Sequence, residues 1–210
     1  MRADRPELRD YEVVRAQSSR WLLETVQQPT LVLGSAQSAE ILTSDASTEI
    51  EVCWRRGGGG LVWLRPGDWW CDVWISARST MYRADPTEQA LLVGEWWRQA
   101  LSLFVADATV ATRVSAGPTP VACFAGIGPG EVLVDDNKLV GVTQWRVREG
   151  ALVSTVAHLD TSEELVAFLR DPNEGLARQL QHATVRGLGL DSHRDDVLAA
   201  LVAQVRNDSA

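Results

Sequence analysis

The stretch Glu49-Ile50-Glu51-Val52-Cys53-Trp54-Arg55-Arg56-Gly57-Gly58-Gly59-Gly60-Leu61-Val62-Trp63-Leu64 sets two arginines and four glycines between two apolar runs. Glu49 to Trp54 alternates as a strand does, and Leu61 to Leu64 resumes as another. The glycines free the backbone for positive φ and remove every side chain that would block a ligand. Their N–H groups can converge on an anion as a nest, with Arg55 and Arg56 beside them to pair with phosphate or carboxylate. Read alone, the run is equally a flexible hairpin loop with solvated arginines. Two nucleotide motifs are excluded. No Lys-Ser/Thr follows, as a Walker loop requires, and a strand follows where a dinucleotide fingerprint has a helix.

Outward from this stretch the pattern stays mixed. Arg65-Pro66-Gly67-Asp68 is turn chemistry. Trp69 to Ile75 then reads as a strand with Trp69, Cys71, Val73 and Ile75 on one face and Trp70, Asp72 and Trp74 on the other, largely apolar on both, as in a central covered strand. Upstream, Glu12 to Gln27 is a weak helix candidate and Thr30 to Leu33 a short apolar run. Downstream, Asp85-Pro86-Thr87-Glu88 offers an Asp cap, Pro at the first helical position and Glu three residues after the cap, so a helix is expected over Pro86 to Phe104. Val121 to Leu159 reads as β structure broken by glycine-rich and Asp-Asn turns. The last fifty residues read as helical, with capping boxes at Thr161/Glu164, Asp171/Glu174 and Ser192/Asp195. The expectation is one α+β domain over residues 1–210, helical from about residue 160, with no accessory C-terminal domain.

Composition bounds the function. Of 210 residues, 45% are hydrophobic and 23% charged, as in a globular protein, and the net charge of -8 lacks the basic field that nucleic-acid binding needs. No apolar run is long enough to span a membrane, and the charged start carries no leader-like apolar region. Cys53, Cys71 and Cys123 lie far apart without metal-ligand or disulfide-framework spacing, so a reducing cytoplasm is the expected location. Nine tryptophans crowd the chain, five of them between Trp54 and Trp74. Most read as core, with Trp63, Trp69 or Trp70 as candidates to line a ligand tunnel. Of the 20 Lys and Arg residues, Lys138 is the single lysine. Arg is a planar fork and Lys a compact point charge on a flexible stem, so a chain that uses arginine elsewhere has a position that suits an ammonium.

Lys138 sits in a second informative segment, Val121 to Gln144. Asp136-Asn137 suits a tight turn, and Lys138 begins the return strand. Pointing inward beside Gly141, its ammonium would meet a ligand; pointing outward, it is an ordinary hairpin lysine contributing little to stability. In the same segment Cys123 is either a nucleophile with a lowered pKa or a small buried hydrophobe. His158, His182 and His193 are too scattered in sequence for a metal site. Asp135 and Asp136 read as turn residues, and Arg146 and Arg148 as a solvated face.

Together, Arg55-Arg56-Gly57-Gly58-Gly59-Gly60-Leu61-Val62 and Asn137-Lys138-Leu139-Val140-Gly141-Val142-Thr143-Gln144 resemble the lipoate–protein ligase A family, within the larger group of biotin and lipoate ligases and octanoyltransferases. The order between them is also similar: hairpin, long helix, Cys123-Phe124, then Pro129-Gly130-Glu131 before the lysine. The resemblance spans roughly Thr30 to Leu159. It implies a curved mixed β-sheet flanked by helices, the catalytic core of biotin protein ligase and, more distantly, class II synthetases. It implies that lipoate or octanoate is activated by ATP with Mg²⁺ as an acyl-adenylate and passed to a lysine of a lipoyl-acceptor carrier domain. On this reading Gly58 to Gly60 admit the acyl-adenylate, Arg56 sits near its phosphate, and Lys138 steadies the charge that develops during attack.

The chain departs from the family at named places. The Ser or Thr after the arginine pair is Gly57, a histidine often found past the glycine run is Leu64, and the Gln-His pair of a later strand has no match near Val153 to Val156. These departures keep open a relative that binds an acyl group without turnover. Cys123-Phe124 matches a third reading, octanoyl transfer from an acyl carrier protein through a Cys123 thioester.

Overall fold

The computed structural model describes residues 6–15, 18–115 and 120–206. A one-turn helix α1 (Tyr11–Arg15) leads into β1 (Arg20–Thr25) and β2 (Thr30–Leu33). The short α2 (Ala46–Glu49) precedes β3 (Glu51–Trp54), and β4 (Val62–Leu64) and β5 (Trp69–Ser76) follow the glycine run. Next come α3 (Pro86–Leu101), β6 (Thr109–Val110), β7 (Val132–Val134), β8 (Asn137–Val147) and β9 (Gly150–Ala157), and the chain closes with α4 (Leu176–Gln179) and α5 (Arg194–Arg206).

The strands form two sheets. Six of them run in the order β1-β5-β9-β8-β7-β6, with every pair antiparallel. The small sheet runs β3-β2-β4, with β2 parallel to β3 and antiparallel to β4. The fold is thus mixed α+β.

β5 is covered on both faces, as its sequence requires. Trp69, Cys71, Val73 and Ile75 join the core under α3 and α5, among them Trp97, Leu101 and Leu201. Trp70 joins the core of the small sheet with Leu31, Leu61 and Leu165, and Trp74 packs with Tyr11 and Leu152. At this layered position Asp72 is fully buried and paired with Arg9.

Helix α3 starts where its cap chemistry places it: Asp85 Oδ1 accepts from the Thr87 N–H at 2.7 Å and the Glu88 N–H at 3.0 Å. It ends at Leu101, three residues earlier than expected. Other expectations need correction. Of the residues assigned to a helix over Glu12 to Gln27, 12–15 lie in α1 and 20–25 form β1, because Trp21 and its neighbours pair with β5, while Ala16 and Gln17 lie outside the described residues. The lysine hairpin turns on Asp135 and Asp136, at φ 48° and 61°, one residue earlier than expected, as a type I′ turn demands. The C-terminal region is less helical than its capping boxes suggest. Glu163–Phe168 is a 3₁₀ segment with no side-chain cap from Ser162, and α4 begins only at Leu176, after Gly175. Of the two arginines read as a solvated face, Arg148 is exposed, but Arg146 is half-buried: its Nη2 donates to Tyr82 Oη at 2.8 Å and to the Arg83 carbonyl at 2.7 Å.

Candidate functional site

The glycine run connects β3 to β4 across the end of the small sheet. Arg55 is 2% exposed. Its Nη1 donates to the Val32 carbonyl at 3.1 Å, its Nε to the Gly58 carbonyl at 3.1 Å, and its Nη2 to the Gly58 and Gly60 carbonyls at 2.9 and 2.6 Å. Both ends of the fork are therefore occupied by backbone, and Arg55 is the keystone of the loop. Thr143 Oγ1 donates to the Gly58 carbonyl from β8 at 2.9 Å, tying the loop to the large sheet.

Two glycines are required for different reasons. Gly59 has φ +88°, a region L side chains avoid. Gly60 runs against the Cys123 turn, where a Cβ would sit 2.6 Å from the Ala122 carbonyl carbon. That approach lets Leu61 N–H donate to the Val121 carbonyl at 2.8 Å and Cys123 N–H to the Leu61 carbonyl at 2.9 Å.

Arg56 turns the other way. Its guanidinium pairs with Glu7 at 2.8 Å and Glu12 at 2.9 Å and lies over the rings of Tyr11 and Trp145. These contacts raise its pKa further above the ordinary range, led by the Glu7 hydrogen bond. In this arrangement Arg56 clamps the N-terminal segment. Gly141 sits behind the Cys123 turn: a Cβ there would stand 3.2 Å from the Phe124 ring and 3.4 Å from Cys123 Sγ.

Gly60, Cys123 and Lys138 come together on the wall of a cavity of about 470 Å³, along with Val114, Ser115, Glu131, Asp171 and Gln179. This volume lies within the roughly 300–1,000 Å³ of small-molecule sites. Arg55, Arg56, Gly57, Gly58, Gly59 and Gly141 lie outside that lining; Arg55 and Gly141 support it from behind, through Gly60 and the Cys123 turn. A second, smaller cavity of about 240 Å³ lies beside β3 and includes Leu64, Cys53 and Trp70 in its lining. Of the three tryptophans proposed for a tunnel, Trp70 faces that smaller cavity, whereas Trp63 and Trp69 are buried in the two cores.

Lys138 is buried, with 3% of its side chain exposed, and its Nζ lies 2.6 Å from Glu131 Oε2. The same ammonium donates to the Cys123 carbonyl at 2.7 Å and stands 5.2 Å above the Phe124 ring. The expected low cost of removing a hairpin lysine is thereby corrected, because this lysine is half of a buried ion pair. Burial drives the Glu131 carboxyl above its ordinary range, against the pull of Lys138 and the amides of Gly128 and Val142. Burial also pushes the Cys123 thiol up; Lys138 pulls it down, and Glu131 opposes that pull.

Glu131 is a site residue that the motif order includes, in Pro129-Gly130-Glu131, but to which sequence reading assigned no role; it stands one residue before β7, the strand opposite the only lysine. A second group was scattered in sequence but converges in space. The Phe124 ring lies 4.4 Å from both the His158 and the His182 rings. His158 Nδ1 donates to Asp68 Oδ2 at 2.9 Å. Asp68 is buried, which raises its pKa, but His158 and the Leu159 and Arg65 amides outweigh that and hold it low. His182 Nε2 lies 2.9 Å from Ser162 Oγ and its Nδ1 2.9 Å from the Ala183 carbonyl. A carbonyl only accepts, so Nδ1 carries the proton and Nε2 accepts from the Ser162 hydroxyl. Among the described residues, no three His, Cys, Asp or Glu side chains gather as metal ligands would, and no helix is long and apolar enough to cross a membrane.

This is the fold of the lipoate–protein ligases. The chain is similar to a solved lipoate-protein ligase A bound with ATP, with a TM-score of 0.72 and 18% identity over 95% of this chain and 77% of that one. It is also similar to the bi-partite lipoate protein ligase of Thermoplasma acidophilum, solved in a study of that ligase and its E2 lipoyl domain, with a TM-score of 0.69 and 19% identity over 95% of this chain and 76% of that one. P. falciparum LipL1 in complex with lipoate matches with a TM-score of 0.63 and 13% identity over 90% of this chain and 49% of that one. No protein-family model and no curated protein sequence matches the chain.

Proposed function

We propose that the chain is a lipoate ligase-type enzyme that activates lipoate or octanoate with ATP and transfers the acyl group to a lysine of a lipoyl-type carrier domain. The observation that carries this reading is the placement of the only lysine: Lys138 lines the same cavity wall as Gly60, within the fold of lipoate–protein ligases. In the first step a carboxylate oxygen of the acid attacks the α-phosphorus of ATP and pyrophosphate leaves. In the second, the carrier lysine amine attacks the acyl carbonyl, AMP leaves, and the amine gives up a proton.

Lys138 supplies a fixed positive charge to the oxygens that gain charge in both steps, the kind of preorganised stabilisation worth about 2.7–4 kcal/mol per donor. Gly60 lets the glycine run lie directly against the Cys123 turn whose carbonyl holds that ammonium. Mg²⁺ would arrive with the phosphates of ATP, which is how this ion is usually held. No carboxylate cluster among the described residues forms a resident site for it.

The thioester route through Cys123 fares less well. Its thiol is pushed up by burial, a trend that Glu131 reinforces and that Lys138 opposes without reversing. Intact-mass analysis under native conditions separates the readings. With ATP, Mg²⁺ and lipoate, the expected result is a noncovalent acyl-adenylate. An acyl adduct on Cys123 after incubation with octanoyl carrier protein would favour the thioester, and neither product would point to a relative without turnover.

A further inference from the structure

We propose that Glu131 is a positioning residue for Lys138, fixing the ammonium so that its remaining N–H faces the cavity. The proposal rests on the ligase reading above and deepens it. An ammonium carries three donors. One is taken by Glu131 at 2.6 Å and one by the Cys123 carbonyl at 2.7 Å. With Lys138 in the cavity wall, the third is left to meet a ligand.

Both acceptors are themselves held. Glu131 Oε2 accepts from the Gly128 N–H at 2.7 Å, and its Oε1 from the Val142 N–H at 3.4 Å. The Glu131 backbone is locked to the strand beside it, its carbonyl accepting from the Ala111 N–H at 2.8 Å. One residue earlier, Gly130 at φ +84° lets the chain press on α3, where a Cβ would run into the Ala90 carbonyl. Across the cavity wall, the Cys123 carbonyl belongs to a 3₁₀ turn whose Phe124 ring packs against the paired rings of His158 and His182. The ammonium is thus suspended between two rigid supports from different parts of the chain.

Stability alone is a poor reason for this arrangement, because a buried ion pair commonly stabilises a fold no more than apolar side chains of the same volume. Orientation is the better reason. A catalytic group displaced by 1 Å can lose about 10²-fold in rate.

The test uses the full chain and the fact that it has a single lysine, so selective ¹⁵N labelling of lysine gives one side-chain ammonium signal. In the wild type that signal should exchange slowly with water, and in Glu131→Gln it should exchange fast. In the ligation reaction Glu131→Gln should lose about 10²-fold in kcat with KM for lipoate within about twofold. Glu131→Asp, which keeps the charge, should recover part of that loss. Wild-type kcat in Glu131→Gln overturns the positioning role, as does a loss that appears in KM rather than kcat. Should Glu131→Gln fail to fold, Glu131→Asp decides by the same kcat-against-KM criterion. Absence of any ligation by the wild type, with a slowly exchanging ammonium present, overturns the ligase reading and with it the catalytic purpose of the pair.

Discussion

Arg55 Nη2 donates to the Gly60 carbonyl at 2.6 Å, so the arginine that opens the glycine run also fastens its far end. The pairing explains why a loop of four glycines, entropically costly to order, keeps one conformation. It also separates the two arginines of the motif: Arg55 builds the loop, and Arg56 holds the N-terminal segment through Glu7 and Glu12.

Arg55→Leu should therefore act on stability. It strips a donor from the Val32, Gly58 and Gly60 carbonyls; Gly58 keeps its bond from Thr143, and each of the other two left unsatisfied costs about 1–3 kcal/mol. A total loss of about 3 kcal/mol or more corresponds to a drop of roughly 6–12 °C in Tm for a chain of this size. Thermal unfolding checks this, and an unchanged Tm would show that the guanidinium is dispensable.

Neighbouring glycines should respond oppositely to the same added methyl. A Cβ on Gly58 meets nothing within 4 Å, whereas one on Gly60 meets the Ala122 backbone at 2.6 Å. Gly58→Ala is expected to leave stability unchanged or raise it by about 0.4–1 kcal/mol. Gly60→Ala should cost about 1–3 kcal/mol by overpacking and should weaken ligand binding at the cavity wall. Denaturant unfolding and calorimetry on the two variants give the comparison; equal effects would count against the close approach at Gly60.

Removing Lys138 alone should be destabilising, because Glu131 is left buried without its partner. Lys138→Met is expected to cost about 3–5 kcal/mol. In Lys138→Met/Glu131→Gln the carboxylate is also gone, while the Gln side chain can still accept a backbone N–H. The double variant should therefore be more stable than Lys138→Met. Additive losses in the double-mutant cycle would show that the two side chains are not coupled.

The His182 ring gives the fold an acid limit. Burial first, then His158, lowers its pKa from 6.5 to about 3. In the folded protein the ring stays neutral down to that value, while in the unfolded chain it takes a proton below about pH 6.5. Its contribution is thus complete above pH 6.5 and is lost progressively as the pH falls toward 3. Asp68 adds to the same trend at the acid end, since its lowered pKa means that protons favour the unfolded chain. Tm measured from pH 7 to 4 should fall, and His182→Gln should show a shallower decline. Parallel curves for the two proteins would remove His182 as the cause.

What the sequence disclosed is what local chemistry controls. Alternation placed β5 and its two apolar faces, the Asp85 cap placed the start of α3, and motif order brought Gly60, Cys123 and Lys138 into one wall. What it hid depends on contacts between distant segments. Nothing in residues 12–27 shows that β5 is waiting to pair with Trp21, so the strand read as helix. The direction of Arg56 is set by Glu7 and Glu12, and Glu131 matters only because its carboxylate meets Lys138 across the hairpin. His158 and His182 lie 24 positions apart in sequence, yet their rings stand 5.3 Å from each other and 4.4 Å from Phe124. The capping boxes near Thr161 and Asp171 show the reverse failure: correct local chemistry for a helix start, in segments that settle as a 3₁₀ turn and a single helical turn.

Transfer of the acyl group to a lipoyl carrier domain is the most direct measurement of the central claim. The chain, ATP, Mg²⁺, lipoate and a lipoyl domain are incubated together, and the intact mass of the carrier is followed for the wild type and for Lys138→Arg. The expected result is one lipoyl addition to the carrier that requires ATP, releases AMP, and is absent with Lys138→Arg, because a planar guanidinium cannot take the place of an ammonium suspended between Glu131 and the Cys123 carbonyl. An unmodified carrier with the wild type, or wild-type transfer by Lys138→Arg, would contradict it.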